Sequence, residues 1–476
     1  MRIEAVHLQH VRIPLKRSFK HALHERAHAD AALVTVVGDD GSRGWGEIQP
    51  RKYVTGESME DVLRTDGPAM AEALLGQSFS SWSEATGWLE AQADARGPRL
   101  ATLCGFDLAL LDAVGQSLGQ PISAALGGES GPELPAGVIV GFEHSTPKLA
   151  RYCATLRLSG KKHVKVKVGL DDDAERLAAV VKVFKTLPLR LDANAAWTAT
   201  EAINRLKELQ SVAPIASIEQ PIEAADVDGL HLIQRETGIP VMADESLRSL
   251  ADAELLIDRD AAAIFNVRLG KNGGVWAAHR LCARARAAGV EIHLGTMVGE
   301  TGVLSRASEV FGRCEPGFVC LDGKGQNVFL LEVDILGESS DHRARSDDPK
   351  VGPNDGPDSS PGLGVHVDEQ RIEEHRVGDV LRFQISPAFF RVSIRERTMS
   401  TEQDLLTYIT KELAPGKTDI DAESSLQGVI DSTAVMELVV WIEGQYGFDV
   451  EIDDITPDNF GSAKTLTAYI EKNKNG

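Results

Sequence analysis

Three carboxylates and two lysines carry the most chemistry in this chain. Asp192, Glu219 and Asp244 each stand at or near the end of a β-rich apolar run: Leu189-Arg-Leu-Asp192-Ala-Asn194, Ala216-Ser-Ile-Glu219-Gln-Pro221 and Val241-Met-Ala-Asp244-Glu-Ser246. They are 27 and 25 residues apart, one strand-plus-helix repeat of a (β/α)₈ barrel. All strand ends of such a barrel open onto one face. Three carboxylates would converge there and suit a hard divalent cation, Mg²⁺ (or Mn²⁺). Upstream, His163-Val-Lys165-Val-Lys167-Val-Gly169 alternates strictly, so both lysines share one strand face and the valines the other. A single acid at a strand end is ordinarily just a polar loop residue. Three in successive units behind a lysine pair predict a metal site with a base beside it.

In this order and spacing, Lys-x-Lys, Asp-Ala-Asn, Glu-Gln-Pro and Ala-Asp-Glu-Ser resemble the muconate-lactonising (mandelate racemase/muconate lactonising) subgroup of the enolase superfamily. The resemblance covers roughly residues 1–370. It implies an α/β fold, an α+β capping domain over a TIM-type (β/α)₈ barrel, and abstraction of a proton α to a carboxylate to give a metal-stabilised enolate. It implies Asp192, Glu219 and Asp244 as metal ligands, Lys167 as the base, and Lys165 as its assistant. A lysine base near neutral pH needs a pKa below its usual value of about 10.4, and two lysines on one face would depress each other. Arg17-Ser-Phe-Lys-His21, too polar for a core, reads as a loop. In the resembled family it reaches over the barrel mouth, so Phe19 and His21 become candidate substrate contacts. Asn194, Glu300 after the seventh strand, and Asp322 join them. Asp322, in Cys320-Leu-Asp322, sits where dipeptide epimerases show two aspartates that bind an α-ammonium, and here one is missing. His293 reads as a barrel-strand residue.

The departure lies on the sixth strand, where the family usually places a second lysine. Ala263-Ile-Phe-Asn266-Val-Arg268-Leu-Gly-Lys271 puts Asn266 and Arg268 inward by alternation, with Lys271 beyond the strand in a glycine loop. Arginine stays charged and shuttles protons poorly. The expected chemistry therefore uses one base: elimination, dehydration or cycloisomerisation, with Arg268 stabilising an enolate or clamping a carboxylate. Two alternatives stand beside it. One is a racemase or epimerase of dipeptide or N-acyl amino acid type. The other is a silent barrel acting as a scaffold.

The elements that must position these residues are legible as blocks. Residues 1–130 alternate as an antiparallel meander and then turn helical, giving the capping domain, to be completed by about 361–375 in a returning strand at Pro361–Asp368. Residues 131–337 carry the barrel, closing near Leu331–Ile335, and 376–398 read as a linker or hairpin. From 399 to 476 the texture becomes a small all-α bundle holding 15 acidic against 5 basic residues. Its Gly428-Val-Ile-Asp431-Ser432 resembles an acyl carrier protein, which implies 4′-phosphopantetheine on Ser432. An Asp-Ser pair at a helix start is by itself commonly an N-cap. The partners then implied are a phosphopantetheinyl transferase, acyl-loading enzymes, and a small carboxylate or thioester-tethered substrate in a specialised biosynthetic pathway. A homo-oligomer is also expected.

A net charge of −21 argues against a nucleic-acid partner. Five cysteines without a Cys-x-x-Cys pair fit a reducing cytoplasm. Neither a signal peptide nor a membrane-length apolar run is apparent.

Overall fold

The computed structural model describes residues 1–21, 24–96, 99–128, 131–142, 146–337, 360–385, 401–413, 421–426, 435, 438–439, 441–443, 446, 450 and 454–473. The chain divides into two compact units, Met1–Ser393 and Ile394–Gly476.

The first unit opens with β1 (Ile3–His21), β2 (His24–Gly38) and β3 (Arg43–Ile48), paired antiparallel in that order. Ile3, Val6, Leu8, Val34, Val36 and Ile48 turn one face of this sheet into core, against helix α1 (Leu100–Leu118), which is buried from Leu100 to Gly115. The stretch expected as a loop, Arg17–His21, instead continues β1, pairing Phe19 with Arg26 and His21 with His24. A two-strand ladder satisfies backbone N–H and C=O groups without burying side chains, so polar residues can sustain it. The side chains of Phe19 and His21 lie outside the described residues.

Eight short parallel strands then close a barrel in chain order: β4 (Ala136–Val140), β5 (Val164–Lys167), β6 (Leu189–Asp192), β7 (Ile215–Glu219), β8 (Val241–Ala243), β9 (Ile264–Val267), β10 (Glu291–Leu294) and β11 (Leu321–Asp322). Long helices follow seven of them: α2 (Thr146–Leu158), α3 (Asp173–Phe184), α4 (Ala199–Gln210), α5 (Val227–Thr237), α6 (Leu250–Asp258), α7 (Gly274–Ala287) and α8 (Gly302–Cys314), and the short helix Gln326–Leu330 follows the eighth. Local sequence starts several of these cleanly. Thr198 with Glu201 and Ser249 with Asp252 form reciprocal capping boxes, each satisfying two backbone donors that a helix start leaves free. Val164, Val166 and Val168 are buried behind the lysine face of β5.

Three boundary expectations need correction. The eighth strand is Leu321–Asp322, and Leu331 lies beyond it, bridged to Leu15 of β1. The segment 361–368 makes isolated bridges, Gly362 to Pro121 and Val367 to Leu336, rather than a strand. The returning strand is β12 (Arg376–Gln384), inside the expected linker, and it pairs with β1 to give the sheet order β12-β1-β2-β3. An open sheet edge far away in sequence recruited it. No local pattern announces such an edge.

In the second unit, Leu405, Ile409, Leu438, Ile442, Leu466 and Ile470 form a core shared by the helices Thr401–Tyr408 and Ala463–Asn473 and the residues around Trp441. Tyr408 and Trp441 stack with ring centroids 4.4 Å apart. Asp431 and Ser432 lie outside the described residues.

Candidate functional site

Register carries the key side chains to one end of the barrel. Lys167 pairs with Asp192 and Asp192 with Glu219, while Lys165 pairs with Arg190 one layer below. Asp244 follows the last residue of β8 and Arg268 the last residue of β9. Asp192, Glu219 and Asp244 are all essentially inaccessible to solvent.

The acids do not stand alone. Lys165 Nζ donates to Glu219 Oε2 at 3.0 Å and lies 3.2 Å from Asp192 Oδ2. Lys167 Nζ donates to Asp192 Oδ2 at 2.7 Å and to Asn194 Oδ1. Asn194 holds a left-handed backbone, φ 45°, a conformation asparagine tolerates better than most residues. Arg268 Nη2 donates to Glu219 Oε1 at 3.1 Å and to Asp244 Oδ2. Burial alone would raise Glu219 and Asp244, but Lys165 beside the first and Arg268 beside the second hold both below the usual carboxylate range. Lys165 departs from expectation. Burial pulls its amine down, yet Glu219, Asp192 and Asp322 together raise it above the ordinary lysine value.

Lys271 folds back from the glycine loop and is fully buried. Its Nζ donates to Asp244 O at 2.6 Å, Asp244 Oδ1 at 2.9 Å and Asn266 O at 2.9 Å. Three acceptors match the three N–H donors of an ammonium, leaving none for a substrate. Asn266, inward as expected, donates to Glu219 Oε1 at 2.8 Å.

Asp322 also has its partners inside the protein. Arg190 grips it bidentately, at 2.7 and 2.9 Å, and Lys165 lies 3.3 Å away. The neighbouring strand β4 supplies the room: a Cβ on Gly137 would sit 1.9 Å from Asp322 Oδ1. Asp322 is thus buried, with its charge matched by Arg190 and Lys165. Glu300 is equally enclosed, its Oε1 accepting from Met297 N–H, and burial drives its carboxyl well above the usual range.

Several contributors escaped the sequence reading. Arg190 alternates with Asp192 on the same strand face, a signal that was available. Glu245, next to Asp244, has an enclosed carboxyl that accepts from Asn194 Nδ2 at 3.4 Å; burial and the Asp244 charge push it up to about 8. His293 Nε2 lies 2.7 Å from Arg190 Nη1 and 3.1 Å from Asp322, tying it to the layer below the acids.

The donor set of Asp192, Glu219 and Asp244 fits a hard divalent cation in type and in placement at adjacent strand ends. Their spacing is wide, however. Oxygens bound about 2.0–2.1 Å from one Mg²⁺ lie within roughly 4.2 Å of each other. Among the described residues, three ligand atoms fall mutually within 4.8 Å at His293, Cys320 and Asp322 and not at the three acids. There the Arg190 guanidinium already contacts His293 and Asp322.

Residues 3–127 match the description "Mandelate racemase / muconate lactonizing enzyme, N-terminal domain" and residues 148–371 match "Enolase C-terminal domain-like". The chain is 28% identical to the N-succinyl-L-Arg/Lys racemase of Bacillus cereus over 388 residues, 80% of this chain and 100% of the relative. The crystal structure of that racemase superposes with a TM-score of 0.70 at 26% identity, covering 80% of this chain and 100% of the other. Muconate cycloisomerase 1 of Pseudomonas putida is 30% identical over 383 residues, 78% of this chain and 96% of the relative. A dipeptide epimerase from Enterococcus faecalis, solved with Mg and the dipeptide L-Leu-L-Tyr, superposes with a TM-score of 0.66 at 26% identity over 77% of this chain and 100% of that one.

Proposed function

The chain belongs to the mandelate racemase/muconate lactonizing enzyme family of the enolase superfamily, and from that premise we propose that it is a one-base enzyme acting on a proton beside a carboxylate. Enzymes of this superfamily are isomerases and lyases, which sets aside the silent scaffold. Asp192, Glu219 and Asp244 would hold Mg²⁺, as the Mg-complexed relative supports. Such a cation supplies positive charge against the negative charge that builds up when a hydrogen beside a carboxylate is lost. Lys167 is the base: its amine is partly open to solvent and poised by Asp192 and Asn194 at the strand end.

The observation that carries the one-base reading is the opposite face. Arg268 stands on the sixth strand where a second base would be needed, and the Lys271 amine is enclosed behind Asp244 with all its hydrogens spoken for. A guanidinium there suits an anionic substrate group by paired hydrogen bonds. Elimination, dehydration or cycloisomerisation follows from one base.

A second reading, racemisation or epimerisation, is favoured by the relatives named above. Its ammonium-binding form is weakened by Asp322, which Arg190 and Lys165 already neutralise.

The C-terminal unit completes the proposal. Its acidic composition and apolar core support a carrier bundle with phosphopantetheine on Ser432, loaded by a transferase and acyl-loading enzymes, presenting a tethered substrate. Five cysteines without a Cys-x-x-Cys pair suit a reducing cytoplasm, and no helix among the described residues is long and apolar enough to cross a membrane.

Deuterium exchange from D₂O into carboxylate substrates tests the mechanism. The wild type should exchange one face only, and Lys167→Ala should abolish it, a loss of about 10²–10⁴-fold for a missing general base. Wild-type exchange on both faces with interconversion of stereoisomers would replace this reading with the racemase.

A further inference from the structure

Lys167 is the last residue of β5, and a buried charged pair at the start of α3 holds the backbone that follows it. On the reading that Lys167 is the base, we propose that Arg176 is its positioning residue, oriented by Asp173. Together they fix the peptide groups on the C-terminal side of Lys167, and so fix where its amine stands.

The contacts cover successive peptide groups. Arg176 Nη1 donates to Lys167 O at 3.1 Å and Nη2 to Gly141 O at 2.6 Å, joining the end of β5 to the residue after β4. Val168 N–H donates to Asp192 O at 2.9 Å. Asp173 Oδ2 accepts from Gly169 N–H at 2.6 Å and from Leu170 N–H at 3.0 Å. The Lys167 carbonyl and three consecutive N–H groups are therefore all held. The turn has little slack. Gly169 takes φ 128°, and a Cβ there would stand 3.0 Å from Ala196 Cβ, in the loop that carries Asn194. Asn194 in turn accepts from Lys167 Nζ.

The guanidinium is itself held on several sides. Asp173 Oδ1 lies 3.5 Å from Arg176 Nη1, and the Phe142 ring centroid lies 4.7 Å from its Cζ. Asp173 and Arg176 are only 4% and 3% exposed. Taking two charges out of water commonly costs as much as their attraction returns, so such a pair is a poor source of stability. What it supplies here is geometry: the planar fork of an arginine meets two carbonyls at once, which the single nitrogen of a lysine does not reproduce.

Reductive methylation of the full chain with formaldehyde and cyanoborohydride, read lysine by lysine by peptide mass, reports how firmly each amine is held. Arg176→Lys keeps the charge beside Asp173 and loses the fork. Lys167 should be methylated about two- to tenfold faster in this variant, the range that one lost hydrogen bond supports. Lys271, fully buried, should stay as slow as in the wild type. Arg205→Met is the control. Arg205 donates to Leu170 O and Asp171 Oδ1, both at 3.0 Å, without touching Lys167, so Lys167 should label at the wild-type rate there. In D₂O exchange with a panel of N-acyl amino acids, Arg176→Lys should lower kcat about 10–100-fold with KM within about twofold.

An unchanged Lys167 methylation rate in Arg176→Lys would overturn the proposal. Faster labelling of Lys271 as well, or equal acceleration in Arg205→Met, would overturn it by assigning the effect to general loosening. A loss that falls on KM with kcat unchanged would do the same. Exchange that survives in Lys167→Ala would instead remove the base reading on which the proposal rests, while leaving the methylation result to judge the clamp. Where no member of the panel exchanges, the methylation rates decide alone. Should Arg176→Lys not fold, Asp173→Asn decides by the same Lys167 rate, since its amide oxygen still accepts from the turn and only the charge facing Arg176 is lost.

Discussion

Asp322 shows how neighbours reassign a residue. Its position at the end of the eighth strand suggests substrate binding, but the pair it makes with Arg190 is internal and bidentate. His293 joins them. Burial lowers its pKa, and its Nε2 lies against both Arg190 Nη1 and Asp322 Oδ2. Truncating one partner of a buried pair leaves the other charge uncompensated. Asp322→Ala should therefore cost about 3–5 kcal/mol in urea denaturation, whereas Arg190→Met combined with Asp322→Leu should cost clearly less. A double variant as costly as Asp322→Ala would mean that the stranded Arg190 charge is not the source of the single variant's loss. Arg190 could have been read from its period-2 relation to Asp192. The fold-back of Lys271 onto Asp244 could not, because it depends on the path of a glycine loop in three dimensions.

At the scale of elements, α1 of the capping domain is fastened to the barrel through one carboxylate. Asp107 accepts from Val275 N–H at 2.7 Å and Trp276 N–H at 3.1 Å, capping the start of α7, the helix that follows the Arg268–Lys271 loop. Asp112 on the same helix accepts from Trp45 and Leu363 N–H groups. Burial raises Asp107 to about 7 and Asp112 to about 6, against ordinary values of 3.8. A carboxyl whose folded pKa lies above its unfolded one binds protons more readily in the folded chain. Its contribution to stability is thus fully present below about pH 4 and is lost as pH rises through about 7. Thermal melts from pH 5 to pH 8 should show this decline in the wild type and a flatter profile in Asp107→Asn, whose amide oxygen still accepts at the helix start but cannot ionise. A variant as steep as the wild type would assign the pH dependence elsewhere.

At the scale of the molecule, two compact units share one chain. If the second is a carrier, then incubation of the full chain with a promiscuous phosphopantetheinyl transferase and coenzyme A should add one phosphopantetheine to the intact mass. Ser432→Ala should add none. No mass gain in the wild type would leave the C-terminal unit as a helical bundle without a prosthetic arm. Sequence by itself determined the repeating units of the barrel, the three acids and two lysines at their strand ends, and the acidic helical texture after residue 399. These follow from alternation, spacing and composition, which are local and survive without knowledge of the fold. Tertiary structure alone decided that β12 closes the capping sheet against β1, that Lys271 lies behind Asp244, and that Arg268 bridges Glu219 and Asp244. Those outcomes rest on an open strand edge, a loop path and the reach of one long side chain. Each is set by residues distant in sequence that only folding brings within hydrogen-bonding distance.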